Sequence, residues 1–517
     1  MRNGVSSMFF SKKKSLEISN QDEFAPRSAL GRGFTSVQSA KSELFQKHKA
    51  FNPLNYLNEK YQFFGLEISS QEPYYLPYED STHILYCGPT RSAKGVAISH
   101  RVIEAIHQGK GLIIIDPKKD DFLPQVIQEL LEREARTKDM LIVSYPNNFG
   151  YSGFDKNDTS LEFSNKLIVA LDLAPSGDPK SDYYRRNERT LLKKVVDIFL
   201  NTLQIRDSSF ELNYKSFANF IEYLHSDLLA MQKYNNEISK NKPNMDLIEQ
   251  YSKRYFDVKR FTELEFDYDD ISTLKGLYQT VLELCDANIF TNIDISDSLY
   301  NGKIIYIQAD QLDEASLKML KILQVDIIQK AKKKTANCIV IADEVSFYAT
   351  KTLSDSLSTI AGFGVHFILA MQDLAQLNDE VIKKPILSNC QTKLFYKSSD
   401  IETLEYIEKL SGLELVTQTT KQNSTTTIRQ AQEPLLNITR LRALKRDRVA
   451  ILIGESLNAP VIVQTWHIEV KHKFDWSKHD KKLSEMKVTK LLKTFKVEQK
   501  NEMLNEDKPE DKKELLL

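Results

Sequence analysis

Cysteine is scarce in this 517-residue chain: Cys87, Cys285, Cys338 and Cys390 are the only four, and none forms a C-x-x-C pair. That argues against zinc sites and thioredoxin-like chemistry. Cys87 and Cys338 lie in apolar, strand-like runs, where a small buried thiol is the ordinary role, and so sparse a set fits a reducing compartment. Long hydrophobic runs are missing too. No stretch approaches the roughly 20 apolar residues that span a bilayer, and the longest, around residues 112–115 and 338–342, are strand-sized. Residues 1–14 hold basic residues but no apolar core, which predicts no secretory signal. Net charge is nearly absent: 70 Lys and Arg against 71 Asp and Glu leave −1. The chain therefore has no global basic field for nucleic acid, and any such contact must come from a local cluster or an assembled ring. Together these absences predict a cytoplasmic protein, or one peripheral on a membrane through a partner.

What is present begins with His83-Ile84-Leu85-Tyr86-Cys87-Gly88-Pro89-Thr90-Arg91-Ser92-Ala93-Lys94-Gly95. An apolar run that reads as a buried strand empties into a loop, and a helical pattern follows through Val96, Ile98, Val102, Ile103 and Ile106. Strand, loop, lysine and helix form the layout of a phosphate-binding P-loop. Loop N–H groups and a helix N-terminus favour an anion, and a lysine adds a point charge on the β- and γ-phosphates. This makes Gly88, Pro89, Thr90, Arg91, Ser92, Ala93, Lys94 and Gly95 the candidate nucleotide-binding residues. The usual form is G-x-x-x-x-G-K-[ST]. Here Ala93 stands for the second glycine and Gly95 for the hydroxyl residue that touches Mg²⁺. A strand-turn-helix without nucleotide is the structural alternative.

A length of 517 residues predicts more than one domain. Residues 1–50 are polar and without periodicity, which predicts a disordered or partner-binding segment. From 51 to 206, short strands lead into alternating strands and helices, the pattern of a parallel sheet covered by helices. Between 207 and 299 the alternation stops. Helical spacing dominates and glycine is nearly absent, which predicts an all-α insertion; Lys253, Arg254, Lys259 and Arg260 read as its solvated face. Alternation resumes over 300–470. A Thr/Gln/Asn/Ser tract at 417–430 reads as a loop or mobile hairpin. Residues 471–517, basic and then acidic, read as a charged tail. The fold class expected is α/β, with a mostly parallel central sheet and an inserted all-α domain.

Residues 338–344, Cys-Ile-Val-Ile-Ala-Asp-Glu, form an apolar strand ending in two carboxylates. In a P-loop ATPase the first acid holds Mg²⁺, and the second can take a proton from the attacking water. Asp343 is thus the candidate metal residue and Glu344 the candidate base; a helix cap after a buried strand is the plain alternative. Residues 364–372 form another strand that ends at Gln372, a candidate for contact with the γ-phosphate or the water. His366, mid-strand, reads as a satisfied core histidine.

These residues carry a family resemblance. The loop from Gly88 to Gly95 resembles that of the type IV secretion coupling proteins, the TraG/TraD kind of conjugative DNA-transfer ATPase. So do Ile115-Asp116-Pro117-Lys118, Met371-Gln372-Asp373-Leu374-Ala375-Gln376-Leu377, Ser388-Asn389-Cys390-Gln391-Thr392-Lys393 and Glu433-Pro434-Leu435-Leu436. The likeness covers roughly residues 80–470. It implies a RecA-like domain that binds ATP and Mg²⁺, with an inserted all-α domain. It also implies a homo-hexamer at the base of the secretion channel, on the cytoplasmic face of the inner membrane. Its partners would be channel components and either single-stranded DNA with its relaxase or secreted proteins. Three departures stand out. Ala93 replaces the loop glycine. The two N-terminal membrane helices usual in the family are not in this sequence. The run at 359–364, Thr-Ile-Ala-Gly-Phe-Gly, lacks the arginine that acts across subunits; Arg185, Arg186 and Arg189 are substitutes only in principle. The rival reading is a substrate receptor or scaffold with weak or no hydrolysis. An unrelated DNA translocase is disfavoured by the Q-x-L-A-Q-L element.

Overall fold

The computed structural model describes residues 53–486, except 71, 79–81, 156, 176, 203–212, 251–265, 267–269, 288, 423–424, 446–447, 454–459 and 466–467. The expected N-terminal segment, the basic residues at 253–260 and the acidic end of the tail lie outside the described residues.

Eleven strands form one sheet in the order β2-β1-β13-β12-β9-β3-β8-β7-β4-β6-β5. They are β1 (Tyr61–Glu67), β2 (Pro73–Pro77), β3 (Ile84–Cys87), β4 (Gly111–Asp116), β5 (Met140–Ser144), β6 (Ile304–Gln308), β7 (Cys338–Ala342), β8 (Val365–Met371), β9 (Thr392–Phe395), β12 (Arg448–Ile453) and β13 (Val461–Gln464). From β9 to β5 every pairing is parallel. At the other edge β12, β13, β1 and β2 run antiparallel. The α/β expectation therefore holds, with an antiparallel wing added by the short strands around residues 61–77.

The parallel strands are apolar along their whole length because both faces are covered. Successive side chains alternate between two cores. Ile113, Ile115, Ile305, Ile307, Val340 and Ala342 face one core; Leu112, Ile114, Ile304, Tyr306 and Ile341 face the other. The second core takes α1 (Lys94–His107) and α2 (Leu123–Arg133). The first takes α3 (Ser160–Ala170), α4 (Pro179–Thr202) and α7 (Glu314–Lys333). It continues without a break into α5 (Tyr214–Ile238) and α6 (Asp270–Cys285) through Phe217, Ile221, Leu274 and Val281.

Three local findings refine the sequence reading. The polar tract is a hairpin, β10 (Leu413–Gln422) against β11 (Thr425–Pro434), with ten residue pairs in register. Its regularity comes from backbone pairing, which polar side chains do not announce. The histidine expectation also holds: His366 Nδ1 lies 2.9 Å from Thr82 O, and neighbouring His83 accepts from Phe367 N and meets Leu357 O. Burial pushes the His83 pKa down to about 4, with His366 adding to the shift. The tail does not begin at Lys471. Residues 471–475 lie against α2 and the loop before it, where Lys471 N donates to Glu129 and Phe474 N to Asp121 O, and a helix follows over 476–486. Trp476 is 8% exposed, lies tilted against the Tyr306 ring and donates to Asp120 O at 2.9 Å. The two aromatics Phe474 and Trp476 anchor a segment whose many charges suggested solvent.

Candidate nucleotide site

Strand β3 and helix α1 are joined by the loop Gly88–Ala93, at the C-terminal edge of the parallel strands, where open α/β sheets bind ligands. Gly88 N donates to Met371 O at the end of β8. A Cβ at Gly88 would stand 2.6 Å from the Tyr396 Cβ, so only glycine fits there. Pro89, Thr90, Arg91 and Gly95 are exposed, while Ser92 and Lys94 are buried. At Gly95 a Cβ would meet nothing within 4 Å, so the absent hydroxyl residue is not a matter of space.

The loop explains the departure at Ala93. Its φ is +72° and ψ +18°, the left-handed conformation that the usual glycine adopts without penalty. An L-residue there costs about 1–2 kcal/mol. Ala93→Gly is therefore expected to raise stability by about 1 kcal/mol, read as a higher midpoint in urea unfolding. An unchanged or lower midpoint would show that the loop is not strained at this residue.

Five side chains converge beside the loop. Lys94 Nζ donates to Met371 O at 2.7 Å and lies 3.8 Å from Glu344 Oε1. Burial depresses the Lys94 pKa against the pull of Glu344 and Asp343. Glu344 follows β7 in the left-handed region, φ +46°, and is fully buried. Its Oε1 accepts from Gln372 Nε2 at 3.3 Å and touches the Lys118 ammonium; its Oε2 is buried with no hydrogen-bond partner among the described residues. Asp343 is partly exposed and lies 3.5 Å from Lys118 Nζ. Burial alone would lower the Lys118 pKa, but Asp343 and Glu344 outweigh it and hold it above the usual lysine range. Gln372 is fixed by Gln376, whose Oε1 accepts from Gln372 N at 3.2 Å and from Ser346 Oγ at 3.3 Å.

The structure thus gathers Lys94, Asp343, Glu344 and Gln372 from three segments distant in sequence. It adds Lys118, which sequence reasoning did not place in the site; its signal was the Asp116-Pro117-Lys118 run just past β4. Arg185 and Arg189 are engaged elsewhere: they donate to the Ala174 and Leu173 carbonyls at 3.1 and 2.6 Å. The residues fit a Mg²⁺–nucleotide. A P-loop lysine, an exposed stretch of loop and a part-exposed aspartate are present, and two buried oxygens, Ser92 Oγ and Glu344 Oε2, have no hydrogen-bond partner among the described residues. Among the described residues no cluster of three or more His, Cys, Asp or Glu forms a metal site by itself.

Residues 337–446, from β7 through the hairpin to the segment after it, match the family model described as the TraM recognition site of TraD and TraG. The resemblance to the type IV secretion coupling protein family stands. The matched span holds Asp343, Glu344, Gln372 and the Q-x-L-A-Q-L run, but not the P-loop. The bacterial conjugative coupling protein TrwBdeltaN70 superimposes with TM-score 0.52 at 13% identity, over 77% of this chain and 87% of that one. TrwB in complex with ADP and Mg²⁺ gives 0.51 at 14% identity, over 77% and 88%. At such identities the likeness establishes the RecA-like P-loop fold. VirB4 of Thermoanaerobacter pseudethanolicus aligns at TM-score 0.47 and 10% identity, over 80% and 97%. No curated protein sequence matches the chain. Among the described residues no helix is long and apolar enough to cross a membrane.

Proposed function

We propose that this chain is an ATP-binding coupling protein that recruits DNA with its relaxase, or protein substrates, and energises their delivery to a type IV secretion channel. The observation that carries the reading is the convergence of Lys94, Asp343, Glu344 and Gln372 on one P-loop, in the strand arrangement shared with TrwB. Magnesium would supply charge neutralisation between the phosphates, with Asp343 holding it and Ser92 or Thr90 offering the hydroxyl that Gly95 lacks. Lys94 exchanges the Met371 carbonyl for phosphate oxygen. Glu344 takes the proton of the attacking water, and Gln372, already bonded to Glu344, senses the γ-phosphate. The work is done as a homo-hexamer on the cytoplasmic face of the inner membrane, held there by a partner.

A second reading, a receptor or scaffold of the same machine with weak or no hydrolysis, is favoured by two features. One is Ala93 in place of the loop glycine; the other is the absence of arginine from residues 359–364. An arginine finger is worth about 10³–10⁵ in rate in related phosphoryl transfer. Steady-state phosphate release by the purified protein, with and without single-stranded DNA, separates the two. The motor reading expects Mg²⁺-dependent release that DNA stimulates. Binding of ATP without release favours the receptor.

A further inference from the structure

Glu344 is satisfied unevenly. Three donors crowd its Oε1: the Lys118 ammonium, Gln372 Nε2 at 3.3 Å and Lys94 Nζ at 3.8 Å. Its Oε2 has none among the described residues, although it is buried. This asymmetry suits a carboxylate that serves as a general base, with one oxygen fixed by donors and the other left to accept from the water it deprotonates.

The three donors are not equivalent. Lys94 also bonds Met371 O, and in the reading above it turns to phosphate. Gln372 is neutral and its bond is long. Lys118 alone is a cation whose place is built by its own loop. Asp116, buried at the end of β4, accepts from Lys118 N at 2.8 Å, from Asp120 N at 2.7 Å and from Tyr306 Oη at 2.7 Å. Asp120 in turn accepts from Phe122 N and Leu123 N at the start of α2. From outside, Lys119 lies over the Trp476 ring and 3.0 Å from Asp480 Oδ2, and Phe474 N donates to Asp121 O. The backbone that carries Lys118 is therefore held on both flanks before any ligand arrives.

We infer that Lys118 is a positioning residue for Glu344: its ammonium fixes Oε1 and leaves Oε2 as the oxygen that takes the water's proton. The inference rests on the reading of Glu344 as base. In the step it serves, the water oxygen bonds to the terminal phosphorus and the bond from that phosphorus to the bridging oxygen breaks. ADP leaves with the electron pair, and the water proton rests on Oε2 before passing to solvent. Lys118 touches none of these atoms. Its side chain is one-third exposed, and the bonds that shape its loop use backbone N–H groups, so truncating it leaves the loop intact.

The test uses the full-length protein as wild type, Lys118→Ala, Lys118→Arg and Glu344→Gln. For each, titration of fluorescent ADP with Mg²⁺ gives Kd, phosphate release gives kcat, and thermal unfolding checks the fold. Lys118→Ala is expected to lower kcat about 10–100-fold with Kd within about threefold. Lys118→Arg, which keeps charge and donors, should recover at least a tenfold part of that loss. A structural role alone would lower the unfolding temperature and shift Kd together, and arginine would not restore kcat selectively; that result overturns the inference. So does an alanine variant with wild-type kcat while Glu344→Gln is dead, which leaves the base assignment standing. Weakened Mg²⁺–ADP binding with kcat unchanged would make Lys118 a phosphate ligand instead, also against the inference. Wild-type turnover in Glu344→Gln, or none in the wild type, removes the parent reading first.

Discussion

Replacing Lys94 with alanine is expected to weaken ATP binding about 10–100-fold, whereas Glu344→Gln should leave binding near wild type and cut turnover about 10²–10⁴-fold. The contrast follows from where each group sits. Lys94 is a buried cation with one carbonyl bond and one distant carboxylate, 2.7 and 3.8 Å away. Phosphate oxygens offer it stronger, charge-assisted bonds, so its loss is felt in the ground state. Glu344 presents an unpartnered Oε2, which is of use only when water is deprotonated, so its loss is felt in the rate. Removing the buried carboxylate charge also lessens repulsion of the phosphates and leaves the two lysines freer to meet them, so binding to Glu344→Gln is not expected to fall. Fluorescent-nucleotide titration and phosphate release on both variants check this. If neither substitution changes either quantity, the site lies elsewhere.

The second large effect concerns the segment after residue 470. Trp476→Ala is expected to destabilise the protein by about 3–5 kcal/mol, the range for removing a buried aromatic. Trp476 packs with Phe474 and Tyr306 and bonds Asp120 O. Leu483 on the same helix is 4% exposed. A chain ending at residue 470 loses all of these contacts and should be recovered aggregated or unfolded. A chain ending at 486 keeps these contacts and should be recovered folded. The two truncations, compared by thermal unfolding, decide whether 471–486 belongs to the fold. A stable protein ending at 470 would contradict that assignment.

How much of this was legible depends on the kind of signal. The strands around Leu85, Ile113 and Val340 are continuous apolar runs closed by Gly88, Asp116 and Asp343, so both composition and boundaries mark them. The P-loop and the paired acids are local patterns, and the fold brings them together because β3 and β7 flank β8, which ends at Met371, just before Gln372. Lys118 is different. Nothing about a lysine after a proline announces a contact with Glu344, 226 positions later in the sequence; only the adjacency of β4 and β7 supplies it. The segment 471–486 was hidden by its charges, since two aromatics among many lysines give no clear period. At 413–434 the sequence left loop and hairpin both open, because the tract is polar and the order that decides for the hairpin lies in the backbone. Ala93 was visible as a departure from the glycine pattern, yet its meaning needed the positive φ.

The most direct measurement is an experimental structure of the full-length protein with Mg²⁺ and a non-hydrolysable ATP analogue. The account predicts phosphate oxygens cradled by residues 88–95, with Lys94 Nζ moved from Met371 O to phosphate. It also predicts Mg²⁺ on the Asp343 side and a water beside Glu344 Oε2. Nucleotide bound elsewhere, or bound here with Lys94 still on Met371 O, would contradict it.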